Sequence, residues 1–341
     1  MIKNIVYELV SPYTLVKSEL ELNIDRFKSD DILAETKYSA ISTGTEIAAW
    51  EGKPPLRPSK IYPRLMGYCN LAKVIKVGSS ISDISVGNYI LTHQSHRTAF
   101  ICKHSDILLC VDEQDETLLK KLTTTYLYHL GYAALLAGNY KPGHYVAIVG
   151  LGTLGITTAT LVKLFGIQPF IFSNQVIDST WIDIIGLKYL FKKQPLNINA
   201  WHQLCGMDGV DIVINTSNKW SDYLLSLQLA RKGGEVICLG FPGRGEPAAE
   251  FNPLDSQYFY EKQLAIKHCG YVTDHNIDPI DKRFTLKRNI QYLSQLIMNN
   301  MIDPLQIITR EVSWTELDKL YSSLSSRQNG MYSSLLNWNL K

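Results

Sequence analysis

The sequence predicts an α/β protein in which a mostly β domain is interrupted by a doubly wound parallel-sheet domain, and three features carry that expectation. Residues 1 to about 126 run as short β segments separated by Pro, Gly, Ser and Asp clusters. From Tyr145 onward, apolar strands alternate with a glycine turn and helical stretches, the pattern of βαβ units in a parallel sheet. After Cys269 the alternation stops, and helices followed by a last strand form a tail able to rejoin the first block. The expected boundaries are 1–126 with 268–341 for the first domain and 127–267 for the second.

In the first block the strands are NIVYELV, ILAETKYSAIS, LAKVIKVG, NYILTHQ, TAFICK and ILLCVD. The second block reads as strand YVAIVG, helix GTLGITTATLVKLFG, strand PFIFSN, a helical stretch through Ile184, then strands VDIVINT and EVICLG. In the tail, a helix over LKRNIQYLSQLIMNN precedes PLQIITREVSW, a helix around TELDKLYSSL and a closing strand SSLLNWNL.

Composition narrows the function. At 341 residues and 45% hydrophobic, the chain has material for two cores. Its 34 Lys and Arg are balanced by 32 Asp and Glu without long runs of one sign, so nothing supplies the positive stripe that nucleic acid requires. The opening MIKNIVYELVSPYTLVKSELEL breaks its apolar residues with charge, unlike a secretion signal. No segment approaches the roughly 18 apolar residues of a membrane helix, and a cytoplasmic protein without a membrane partner is expected. Six cysteines lie far apart with no C-x-x-C pair, which points to reduced thiols.

Gly150, Gly152 and Gly155 form G-L-G-T-L-G between an apolar strand and a helix. In that context the first glycine permits the turn, the second lets backbone approach a pyrophosphate, and the third lets helix and strand pack closely. The cofactor-binding set is therefore Gly150, Gly152, Thr153, Leu154 and Gly155, with Thr216 and Gly240 after the later strands. Ser173 and Asn174 stand where the ribose of NAD usually meets a carboxylate. Without a carboxylate a 2′-phosphate is not repelled, yet no Arg or Lys follows before Lys188, so NADP(H) is only slightly preferred over NAD(H).

Several motifs in order resemble the medium-chain dehydrogenase/reductase superfamily. ISTGTEIAAWEG (41–52) is similar to its first active-site loop, YPRLMGYCNLAKVIKVG (62–78) to its Gly-His-Glu segment, and ISVGNYIL (84–91) to its Gly-Asp-x-Val turn; GLGTLG and DPLQIITREVSW complete the set. The Ser-Thr-Gly-Thr-Glu loop and the ending resemble a zinc-type alcohol dehydrogenase subgroup that includes bacteriochlorophyllide dehydrogenases. This resemblance implies a GroES-like β-barrel domain around a Rossmann domain, a small-molecule substrate in the cleft between them, and a homodimer.

Where zinc members of that superfamily place ligands, this chain has Thr43, Tyr68 and Thr124 or Thr125. Neutral Thr and Tyr are poor ligands for a divalent ion that prefers thiolate, imidazole or carboxylate, so no catalytic zinc is expected. Hydrogen-bond donors must then stabilise the developing oxyanion. Tyr68, at the lost histidine, either donates a proton or fills the void of the metal; Thr45 matches the relay hydroxyl, and Ala48 replaces the next relay histidine. The catalytic candidates are Thr45, Tyr68 and His93, and the substrate-pocket candidates are Thr43, Trp50, Gln94 and His96, with Trp50 read equally as a domain-interface aromatic. The expected reaction is hydride transfer on a carbonyl or imine, with enoyl or quinone-type C=C reduction and a catalytically inactive NAD(P)H sensor as alternatives.

Overall fold

Period-two patterning produces the N-terminal strands, and a computed structural model shows how they pair; it describes residues 2–55, 62–175, 182–183, 185–193, 201, 203, 206, 208–269, 284–326 and 332–340. The chain divides into two compact units, Met1–Tyr126 with Ile277–Lys341, and Leu127–Asn276. The expected return point at residue 268 is followed closely by 270–283, which lie outside the described residues.

In the first unit β1 (Ile2–Ser11) and β2 (Thr14–Leu22) form an antiparallel hairpin, and β4 (Arg64–Leu65) pairs on the other side of β1. The larger sheet is built from β3 (Asp31–Ala40), β5 (Cys69–Val77), β6 (Tyr89–Thr92), β7 (Ala99–Lys103), β8 (Ile107–Val111), β15 (Ile308–Ser313) and β16 (Ser333–Asn337). Its order is β15-β16-β3-β5-β6-β8, with β7 also paired to β3. The tail thus enters the N-terminal sheet, with β16 hydrogen-bonded between β15 and β3. Ile32, Ala34, Ala72, Val74, Ile90 and Phe100 form the core enclosed by these strands.

Helix α1 (Thr43–Trp50) occupies most of the segment read from sequence as an active-site loop. Together with α7 (Leu317–Ser325) it closes a second cluster of Tyr7, Leu9, Trp50, Tyr321, Leu336 and Trp338. Helix α6 (Leu286–Met298) turns Leu286, Ile290, Leu293 and Ile297 inward at helical spacing. Each such side chain, fully buried, contributes about 1.5–3 kcal/mol. The hairpin strand β2 did not stand out in the sequence because most of its side chains remain in solvent and are polar.

The second unit holds β9 (Val146–Val149), β10 (Phe170–Phe172), β11 (Tyr189–Phe191), β12 (Val210–Asn215), β13 (Ala230–Cys238) and β14 (Ala265–His268). All pair in parallel in the order β11-β10-β9-β12-β13-β14. Every residue of β9 is buried, as a central parallel strand covered on both faces requires. This is the doubly wound nucleotide-binding order, whose switch point lies between β9 and β12 and whose ligands bind beyond the carboxyl ends of the strands. Helices α4 (Thr153–Leu164) and α5 (Trp220–Leu229) follow β9 and β12. The expected helical stretch through Ile184 falls largely outside the described residues. Among the described residues no helix is long and apolar enough to cross a membrane.

Candidate active site

A turn at Gly67 leads into β5. Gly67 adopts φ +87°, and a Cβ there would stand 2.5 Å from the His96 imidazole, so the turn rests directly on that ring. Beyond it, the half-buried Tyr68 donates its phenolic hydrogen to the Ser42 hydroxyl and is also hydrogen-bonded with Thr45. Tyr126 meets the Tyr68 ring edge-on at 5.7 Å and the His93 ring edge-on at 4.5 Å. The Nδ1 of His93 lies 3.2 Å from the Tyr68 carbonyl oxygen. A carbonyl only accepts, so Nδ1 carries the hydrogen and Nε2 of the neutral ring presents a lone pair. That Nε2 is buried without a hydrogen-bond partner.

These surroundings set the proton chemistry. Burial pushes the Tyr68 phenol well above its usual pKa, only partly offset by the Ser42 and Thr45 hydroxyls. Burial lowers the His93 pKa, partly offset by the Tyr68 carbonyl. The site therefore pairs a protonated phenol with a neutral imidazole. Cys69, at the start of β5, is held as the thiol by burial and by nearby Glu46, which removes it as a nucleophile.

Beneath Tyr68 lies a connected polar layer. Glu46 Oε1 accepts the Ser42 N–H at 2.7 Å, and Glu46 Oε2 lies 2.9 Å from His96 Nε2 and also accepts from the Tyr321 hydroxyl. His96 Nδ1 lies 2.9 Å from the Ser39 hydroxyl, which accepts the Trp338 indole N–H at 2.9 Å. Glu46, His96 and Tyr321 are 2%, 0% and 0% exposed, so none can touch a substrate directly.

Several assignments made from sequence change accordingly. His96 belongs to this buried layer rather than to a pocket wall. Trp50 is 7% exposed and packs edge-on against Tyr13 and Tyr321, which makes it a core residue. The Thr43 hydroxyl is committed to the Tyr332 carbonyl at 2.8 Å. Gln94 is half-buried beside His93, and Thr45 is exposed. Sequence reading passed over Ser42, Glu46 and Tyr126. The first two lie one residue off the Ser-x-x-Glu spacing that marks a glutamate folding back on a helix cap, so that signal did not single them out.

A metal finds no donors at the expected positions. Thr124 and Thr125 donate to the Lys121 and Leu122 carbonyls, at 2.8 and 2.7 Å, as Thr43 does to Tyr332. Among the described residues no three His, Cys, Asp or Glu side chains cluster as a metal site. The residues present do not fit a catalytic zinc.

A dinucleotide fits the second unit. Gly150 has φ +104°, and a Cβ on Gly155 would stand 2.0 Å from the Gly150 carbonyl oxygen, so α4 and β9 meet at a distance only glycine permits. Gly152 caps α4 with no side chain and open space around it, leaving the helix N-terminus, with Thr153 buried and Leu154 half-buried behind it, to face an anion. The Thr216 hydroxyl braces the turn by donating to the Val149 and Gly150 carbonyls, and Gly240 packs against the Ser217 carbonyl. At the end of β10, Ser173 is buried and Asn174 exposed. Parallel pairing of Phe172 with Phe191 brings Lys192 and Lys193 beside them, where Lys193 N–H donates to Asn174 Oδ1 at 2.7 Å. The Lys193 ammonium pairs with Asp222 at 2.6 Å, and that of the exposed Lys192 lies 3.4 Å from the Gln175 carbonyl. No Arg or Lys stands between Asn174 and Lys188 in the sequence, and the cations beside Asn174 come from beyond it. The neighbours are supplied by strand order rather than by adjacency in sequence.

Known structures show the same architecture over nearly the full chain. Zinc dependent alcohol dehydrogenase 2 from Streptococcus pneumonia matches with TM-score 0.79 at 15% identity, covering 99% of each chain. A dehydrogenase from Sinorhizobium meliloti 1021, bound to NADP, matches with TM-score 0.76 at 18% identity, over 99% of this chain and 100% of its own. An alcohol dehydrogenase from Escherichia coli CFT073, complexed with NADH, matches with TM-score 0.76 at 12% identity, over 98% and 99%. The chain has the medium-chain dehydrogenase/reductase fold. Its first unit is the GroES-like domain of that fold and its second the Rossmann domain. No protein-family model and no curated protein matches the sequence.

Proposed function

We propose that the chain is a zinc-independent, NAD(P)(H)-dependent oxidoreductase that transfers hydride to or from a small or medium organic substrate, a carbonyl or imine in the reducing direction. The observation that carries this reading is Tyr68, a phenol held in its protonated form between Ser42 and Thr45, whose own backbone carbonyl faces Nδ1 of His93. When bound, the nicotinamide supplies the hydride.

The protein's residues supply the rest. Tyr68 donates its hydrogen to the substrate oxygen or nitrogen as negative charge builds there, and the exposed Thr45 hydroxyl returns a proton from solvent. His93, through Nδ1 on the Tyr68 carbonyl, holds the peptide that carries the phenol. The absence of a carboxylate at Ser173 and Asn174, with Lys192 alongside, supports NADP(H) over NAD(H). β14 ends the parallel sheet among the described residues, and pairing of that edge with a second copy supports a homodimer.

The test follows nicotinamide absorbance with purified protein against carbonyls, imines and enones. Turnover of carbonyls or imines by the metal-free protein supports the reading. Turnover confined to enones would replace it with C=C reduction, and cofactor binding without turnover on any class would replace it with a sensor.

A further inference from the structure

The Gly67–Tyr68 turn is held at both of its ends by one buried pair. At the far end the phenol bonds to the Ser42 hydroxyl, and the Ser42 backbone N–H is fixed by Glu46 Oε1 at 2.7 Å. At the near end the turn lies on the His96 ring, whose backbone N–H donates to the Met66 carbonyl at 2.7 Å and whose Nε2 lies 2.9 Å from Glu46 Oε2. The circuit closes on itself: phenol, Ser42, Glu46, His96, Met66–Gly67 and back to Tyr68.

We propose that Glu46 and His96 are positioning residues for the Tyr68 phenol: the carboxylate fixes the serine that receives the phenol while anchoring the imidazole under its turn. This rests on the reading of Tyr68 as proton donor. Glu46 thus reaches both ends of the turn, and the arrangement leaves little slack. Tyr321 and the Ser42 N–H occupy two further acceptor sites of the carboxylate, while Ser39, itself held by Trp338, occupies the other ring nitrogen. A side chain restrained by such a fully partnered network keeps its geometry before substrate arrives, and a misplacement of about 1 Å in a reacting group costs on the order of a hundredfold in rate. Glutamine in place of Glu46 has one oxygen fewer to share among three donors, so one anchor is released.

Two measurements test the proposal in the full chain. In protein labelled with 13Cζ-tyrosine, the Tyr68 resonance is assigned by its loss in Tyr68→Phe and is expected to shift in Glu46→Gln. If Glu46→Gln does not fold, Glu46→Asp, which withdraws the carboxylate by one methylene, is expected to shift the same signal. An unmoved signal in the folded variant overturns the proposal whatever the reaction is. On the best substrate from the panel above, Glu46→Gln is expected to lower kcat about ten- to a hundredfold with KM little changed. Added to Tyr68→Phe it should cost nothing further. Full additivity overturns the positioning role alone, whereas undiminished turnover in Tyr68→Phe overturns the reading of Tyr68 and this proposal together.

Discussion

His93 Nδ1 lies 3.2 Å from the backbone carbonyl of Tyr68, so one peptide group ties the tautomer of the imidazole to the placement of the phenol. Burial holds the His93 pKa below its ordinary 6.5. With the folded value lower than the unfolded one, the unfolded chain binds the extra proton first as pH falls. The associated stability is fully present above about pH 6.5 and declines as pH drops from there through the folded value. The melting temperature should therefore fall more steeply below pH 6.5 in the native protein than in His93→Gln. Superimposable pH profiles would show that His93 is not buried in its neutral form.

Tyr68→Phe removes a hydroxyl and preserves the ring that packs edge-on against Tyr126. Positioned acid catalysis contributes roughly 10²–10⁴ in rate, so kcat should fall by that factor while the dissociation constant of the cofactor is unchanged. Tyr68→Ala should in addition cost about 3–5 kcal/mol of stability, as for other truncated buried aromatics. Native turnover in the Phe variant would leave Tyr68 as packing.

The glycine turn separates folding from binding. Gly155→Ala places a methyl 2.0 Å from the Gly150 carbonyl and should lower the melting temperature markedly. Gly152→Ala meets open space at φ −84°, so the fold should tolerate it, while the added methyl stands in the path of a pyrophosphate and should weaken cofactor binding at least tenfold. Calorimetry on both variants, with and without cofactor, distinguishes the two effects; equal affinity in Gly152→Ala would remove the phosphate from this turn.

Cofactor choice should respond to charge beside β10. Asn174→Asp keeps an acceptor for the Lys193 N–H but sets a carboxylate against a 2′-phosphate, and Lys192→Glu reverses the neighbouring cation. Each should move the ratio of NADP(H) to NAD(H) affinity towards NAD(H), by about tenfold for a lost charge-assisted bond of about 1.5 kcal/mol. An unmoved ratio in both would place the adenosine ribose elsewhere.

Because the threonine hydroxyls at the expected ligand positions are turned to backbone carbonyls, elemental analysis should find no stoichiometric zinc, and chelators should leave turnover intact. About one zinc per chain would contradict the donor chemistry.

Most of the fold was legible because it rests on local patterning. The continuous apolar run of β9, the glycine turn after it and the helical spacing of α6 each satisfy a rule within one stretch of sequence. What escaped depends on partners far along the chain. Glu46 reads as an ordinary charged residue until His96 and Tyr321 close around it, and Trp50 reads as a pocket wall until Tyr13 and Tyr321 pack on it. Lys192 comes beside the end of β10 only through parallel pairing of β10 with β11, two short strands whose register no periodicity reveals.

The seat of β16 between β15 and β3 also dictates an order of events during synthesis. Ala40 pairs with Leu335, so β3 waits for a partner that is translated nearly the whole chain later. At about 5–20 residues per second that interval is on the order of 15–60 s. During it the Leu127–Asn276 unit leaves the ribosome complete, whereas the unit around it stays open at the β3 edge, with Ser39 still lacking the indole of Trp338. The nascent protein therefore spends its most vulnerable minute with one domain finished and the other unsealed, and chaperone dependence should concentrate on that exposed edge.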